Sequence, residues 1–200
     1  MSPVNSLRVG VSFLLVLGIA VVARAGDPEA RIRQTTEKIL SVVSDPALKP
    51  SSKAEEKKRL IRKAADEQFD WTEMARRSLG RHWADRNEVE KKEFVPLFAE
   101  LLERTYLKKV EGYSGEKVRY EGEAVDGDHA TVKIKFVTQK SKDIPVEYRL
   151  KKDTKGWFVY DVSIEGVSLV NNYRTQFNSI ITQSSYENFV KVLKAKVAEK

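Results

Sequence analysis

The chain has no cysteine in 200 residues, so neither a disulfide nor thiolate chemistry is available to it. It has only two histidines, His82 and His129, and neither stands at metal-ligand spacing from the other or from a carboxylate pair. Both are read as surface or capping residues. Glycine is sparse, at ten residues, and no glycine-rich phosphate loop occurs. The run Gly166-Val167-Ser168-Leu169-Val170 opens like a nucleophile elbow but lacks the closing glycine, and Ser168 is explained as a helix cap. Apart from the first 25 residues, no stretch is long and apolar enough to span a bilayer.

Those first residues have a different character. After Arg8, Val9 to Val22 is almost wholly apolar, and Ala23-Arg24-Ala25 supplies the small residues a signal peptidase needs. We expect residues 1–25 to be a secretory signal, cleaved near Ala25-Gly26, with an uncleaved anchor as the competing reading. Residues 26–200 are then one domain: 26–115 mainly helical, 116–165 a sheet, 166–200 C-terminal helices. The formal charge of +7 falls to +5 once Arg8 and Arg24 are removed. Behind an export signal that balance favours an anionic lipid surface or an acidic docking partner over nucleic acid. Plain solubility explains it more simply, because Lys and Glu are interspersed along most helices.

The helices announce themselves by their caps. Asp27-Pro28-Glu29 starts the first; Ser52 with Glu55 predicts a box for the second. Asp70 with Glu73 starts a third, Phe69 stapling to Met74, and Gly80 ends it. Asn87 with Glu90 opens a long helix in which Pro96 predicts a kink or restart. After Gly112 and Gly115 the period changes to two, giving strands Lys117–Glu123, Asp128–Gln139, Ile144–Lys152 and Gly156–Ile164. Asp126-Gly127 and Lys155-Gly156 serve as hairpin links. One sheet face is apolar and the other wet, so the helices are expected on one side. Ser168 caps a helix with Leu169, Tyr173, Phe177, Ile180 and Ile181 on one stripe. A last helix begins at Ser184 with Glu187 and carries Phe189, Val192, Leu193 and Val197.

Alternation alone places Val132, Ile134 and Phe136 on one strand face, with Val146, Tyr148 and Leu150 on the next. Trp157 and Val159 follow on the fourth strand, where a bulge near Asp161 would swap the set. Phe98, Leu102, Tyr173 and Phe177 are placed opposite. These twelve residues are the candidate apolar lining of a binding pocket, and the same positions suit a solid core equally well. Asp161, among Trp157, Tyr160 and Val162, is the one carboxylate worth a catalytic hypothesis. Outward orientation, or bonds to neighbouring backbone or Arg149, explains it without chemistry.

Four blocks, FDWTEMARRSLGRHW (Phe69–Trp83), EFVPLFAELLERTY (Glu93–Tyr106), IPVEYRL (Ile144–Leu150) and GWFVYDVSIEGVSLVNNYRTQF (Gly156–Phe177), lie in order along the chain. Together they resemble the MlaC-like family, the toluene-tolerance auxiliary proteins of an ABC lipid transporter; Pro96 departs from the usual helical pattern. The resemblance implies an α+β, NTF2-like fold: a curved antiparallel sheet of about four strands, one apolar face covered by about six helices, and an apolar cavity between. It also implies a periplasmic, non-enzymatic carrier of glycerophospholipid, without cofactor or metal, expected to be a monomer. Its implied partners are an inner-membrane MCE-domain protein of the transporter complex and an outer-membrane lipoprotein–porin complex. The alternatives are an NTF2-like enzyme using Asp161 as general base and an envelope lipoprotein chaperone.

Overall fold

The computed structural model describes residues 27–113, 115–137 and 142–198. The expected signal peptide lies outside them. Among the described residues no helix is long and apolar enough to cross a membrane.

The helical half comprises α1 (Pro28–Ser44), α2 (Ala54–Asp66), α3 (Trp71–Leu79) and α4 (Glu88–Glu111). The sheet comprises β1 (Lys117–Asp126), β2 (His129–Val137), β3 (Ile144–Asp153), β4 (Gly156–Ile164) and the two-residue β5 (Val167–Ser168). Two helices, α5 (Leu169–Gln183) and α6 (Tyr186–Ala198), close the chain. The strands form an antiparallel meander in the order β1-β2-β3-β4-β5. The α+β expectation holds, with a fifth strand too short to leave an alternation signal.

Several caps form as read. The Asp27 carboxylate accepts from the Glu29 N–H at 3.0 Å. Asn87 and Glu90 make a complete reciprocal box: the Asn87 side chain accepts from Glu90 N–H at 2.9 Å and Glu90 accepts from Asn87 N–H at 2.8 Å. At α3 only half the box closes. Asp70 accepts from Glu73 N–H at 2.9 Å, but the Asp70 N–H is committed to the Val159 carbonyl. Glu73 turns instead to Arg76 and Arg77.

Other local readings need correction. Ser52 does not cap α2: Pro50 starts a 3₁₀ turn over Ser51–Lys53, so the helix enters from Lys53 without a side-chain cap. The hydroxyl at the α6 start is Ser185, which accepts from Asn188 N–H at 3.2 Å, not Ser184. That one-residue shift turns Val190 inward and leaves Val192 about half exposed. There is no restart at Pro96, which lies inside an unbroken α4. Phe69 stacks on Trp71, with ring centroids 5.2 Å apart.

Register sorts the sheet into two faces. Val118–Phe136–Ile144, Tyr120–Ile134–Val146–Ile164, Val132–Tyr148–Val162 and Ala130–Leu150–Val159 are rows on the inner face. Arg119–Lys135, Lys133–Glu147–Ser163 and Thr131–Arg149–Asp161 are rows on the outer one. The anticipated bulge is present: Leu150 pairs with Val159 and Arg149 with Asp161, leaving Tyr160 as the extra residue. Trp157 and Val159 keep their parity; the residues after them change it, so Val162 joins the inner row and Asp161 the outer one.

The free side of β4 is lined twice. Gln68 and Asp70 bond the N–H and carbonyl of Val159, each at 2.9 Å, and β5 pairs at Ser163 and Ile164. From these anchors α3 and α5 pack against each other, while α4 packs on α3 and α6. An aromatic stack holds that bundle together: Phe98 lies 5.8 Å from Tyr173 and 6.0 Å from Phe177, and Phe177 lies 4.7 Å from Phe189. Each such pair contributes about 0.5–1.5 kcal/mol beyond its buried area. At the other side of the sheet α1 lies over the inner face, with the Arg33 guanidinium 3.6 Å above the Tyr120 ring.

Candidate functional site: an apolar recess

All twelve predicted lining residues belong to one contiguous apolar cluster. Within it they differ in access. Phe98, Val132, Ile134, Leu150 and Val159 are sealed, and Leu102, Val146, Trp157, Tyr173 and Phe177 are buried. Phe136 and Tyr148 are only half-buried.

That difference follows a gradient along the inner face. The row Ala130–Leu150–Val159 is closed. In the next, Val132 and Val162 are covered but Tyr148 is half open. Further along, Tyr120 and Ile164 are half open while Ile134 and Val146 between them stay buried, and in the last row Val118 and Phe136 are half open and Ile144 is 36% exposed. Five residues link α4 to β1, so the C-terminal end of α4 stands near this open end.

Tyr148 is the half-open residue nearest the sealed row. It sits on the central strand in a middle row. Burial pushes its hydroxyl up to about 12, an effect increased by Tyr120 and opposed by a hydrogen bond with Thr36. Tyr120 shares the Thr36 hydroxyl, and burial raises its pKa too. On the helix side Tyr106 is half-buried, and burial with Tyr173 nearby raises its hydroxyl pKa. Thr105 hydrogen-bonds the Tyr173 hydroxyl at 3.2 Å. The surroundings are apolar walls with a few neutral hydroxyls, a surface that can hold hydrocarbon and accept or donate single hydrogen bonds.

Alternation on three strands found the face but missed Val118, Tyr120 and Ile164. The signal for the first two was present, since β1 repeats the same alternation before its bulge at Glu121. Thr36 and Tyr106 left no comparable signal, because their roles depend on where α1 and α4 come to rest.

Asp161 is not in the recess. It is on the opposite face, 3% exposed, and its oxygens are committed. It accepts from the Ser168 hydroxyl at 2.7 Å, the Val170 N–H at 3.1 Å and the Arg149 guanidinium at 3.5 Å. A carboxylate at the first turn of α5 complements the partial positive charge of that helix end. Among the described residues no group of three or more His, Cys, Asp or Glu could hold a metal ion. His82 Nε2 is 3.0 Å from the Asn178 side-chain oxygen, and His129 pairs with Asp128.

An antiparallel five-strand meander with helices over its apolar face defines an α+β fold of known type. The chain is similar to the solved structure of the phospholipid-binding protein from Ralstonia solanacearum in complex with a phospholipid. The two are 23% identical with a TM-score of 0.76, over 86% of this chain and 98% of that one. No curated protein matches the sequence significantly. The family model described as MlaC protein matches residues 33–195, and the chain belongs to the MlaC family.

Proposed function

We propose that this protein is an exported phospholipid carrier that holds acyl chains in the recess between the open half of its sheet and α4 and α5. The observation that carries the reading is the change in access along one apolar face, sealed at Leu150 and half open at Tyr148, Tyr120, Ile164, Val118 and Phe136, around a floor of buried Ile134 and Val146. Family membership and the phospholipid held by the Ralstonia protein support it. Phe136 and Tyr148, with Val118, Tyr120 and Ile164, form the first contact surface. The sealed members of the predicted set, such as Ile134 and Phe98, form its floor.

The energetics suit a shuttle. Two acyl chains of about 16 carbons carry roughly 25 kcal/mol of hydrophobic free energy, which forbids free diffusion through water. A recess as apolar as the bilayer makes extraction and return nearly neutral. Neutral hydroxyls from Tyr148, Tyr120 and Tyr106 orient the lipid without the strong charge contacts that would prevent release. In this reading the carrier works in the periplasm. It exchanges lipid with an inner-membrane MCE-domain protein of an ABC transporter and with an outer-membrane lipoprotein–porin complex.

The test is mass spectrometry of lipids extracted from protein purified after export, with N-terminal sequencing to locate the processing site. Intact glycerophospholipid at about one per chain, on a chain beginning near Gly26, is expected. Protein that emerges without lipid and takes none from vesicles refutes the proposal.

A further inference from the structure

Away from the recess, α3 and α5 enclose a cleft of about 360 Å³ lined by Leu79, Gly80, Arg81, Arg174, Thr175 and Asn178. Its floor is a glycine for a stated reason. Gly80 ends α3 at φ +56°, and a Cβ there would stand 3.0 Å from Cδ of Arg174. The missing side chain lets the Arg174 stem lie against the backbone, and Arg174 and Arg81 both line the cleft.

The neighbouring arginines are paired: Arg76 and Arg77 share Glu73, and Arg86 holds Glu90. Arg81 and Arg174 have no ion pair among the described residues. Arg81 reaches only the Thr182 hydroxyl, at 3.4 Å, and Arg174 only the Asn171 side chain. Both are exposed, held towards opposite ends of the same face of α5, and keep most of their donors unspent. Each can take a carboxylate or phosphate in bidentate fashion, and together they suit a surface bearing more than one acid.

We infer that this cleft is a docking site for an Asp- or Glu-bearing surface of a partner protein. Two observations favour a protein carboxylate over a lipid headgroup. Arg174 and Asn178 each follow a buried ring, Tyr173 and Phe177, by one position and so lie on a different row of α5 from the one packed inward. The cleft also carries none of the large exposed apolar residues, Val89, Val125, Ile144, Val167 and Val192, that could enter a bilayer. The inference deepens the carrier reading by giving it a contact with its partners, and its geometry stands without it.

The experiment titrates the exported full-length protein with three probes: hexaglutamate peptide, inorganic phosphate, and vesicles of phosphatidylcholine with phosphatidylglycerol. Amide shifts are followed by NMR and bound lipid is measured on the same samples. Hexaglutamate should move Gly80, Arg81, Arg174 and Asn178, more weakly as salt rises. The R81Q/R174Q protein should lose about tenfold or more in affinity, and K191Q/K196Q, which removes equal charge from exposed α6 positions, should stay within about twofold. Equal losses in both variants, shifts centred elsewhere, or displacement of hexaglutamate by equimolar phosphate or by vesicles would overturn the inference. Lipid retained by R81Q/R174Q together with the affinity loss supports it. Wild-type protein that carries no lipid but still seats hexaglutamate in the cleft would remove the carrier reading and leave this one standing.

Discussion

Replacing Asp161 with Asn tests whether that carboxylate is a helix anchor or a reactive group. The substitution preserves shape but removes the charge and one acceptor oxygen, and it introduces two donors. The Ser168 hydroxyl and the Val170 N–H both donate to Asp161, at 2.7 and 3.1 Å. An amide oxygen can keep the Val170 N–H, but its NH₂ can meet Ser168 only if that hydroxyl turns to accept, and the charge that strengthened both bonds is lost in a site with 3% exposure. Losing a charge-assisted bond costs about 1.5–3 kcal/mol. The Arg149 contact, at 3.5 Å and with Arg149 partly in solvent, adds less than about 1 kcal/mol. A total of about 2–3 kcal/mol lowers the melting temperature of a domain this size by roughly 5–10 °C. Thermal unfolding by circular dichroism measures it, alongside bound lipid and vesicle-to-vesicle transfer at a temperature where both proteins are folded. Lipid binding and transfer should match wild type. An Asn protein that melts with wild type would show that the anchor carries no stability. A folded variant that binds lipid but cannot transfer it would restore a chemical role to Asp161.

Three other outcomes are expected. Phe136→Glu and Val146→Glu place a carboxylate on the inner face, at a cost of several kcal/mol to bound hydrocarbon; folded variants should copurify with less lipid whatever the headgroup, whereas Lys133→Gln on the outer face should keep it. Glu73 is held down at about 2, chiefly by its hydrogen bond to Arg76 with Arg77 adding to it, below its ordinary 4.5. Its stabilising contribution is therefore complete above about 4.5 and lost as pH falls towards 2, so acid titration should destabilise wild type more than Glu73→Gln across that window. Gly80→Ala forces a side chain into a left-handed conformation 3.0 Å from the Arg174 stem, and denaturant unfolding should show a loss of about 1–3 kcal/mol.

The sequence was most legible where a local rule sets the outcome. The Asn87–Glu90 box, the Gly80 stop and the Gly156–Ile164 strand appear where they were read. It was least legible where a local rule meets a tertiary competitor. Glu73 had two arginines to choose over the Asp70 N–H, and that N–H already belonged to Val159. The bulge at Tyr160 was foreseen as a possibility, but only the paired β3 could say which residues would turn. For the recess, periodicity identified the apolar face without distinguishing the covered half from the open half. That division depends on where α1 and α4 stand over the sheet, and no two-residue repeat encodes it.

The lining of the β4 border has a consequence for survival in a crowded compartment. A meander leaves two rims of unpaired backbone groups, each able to template a strand from another molecule. Here the Gln68–Asp70 segment and β5 occupy one rim on either side of Asp161. The other, β1, is broken by a bulge and studded with Arg119, Glu121 and Glu123. No disulfide holds the sheet closed, so protection against edge-to-edge pairing rests on these rims. Both rims are blunted, so one molecule offers another little free backbone on which to add a strand.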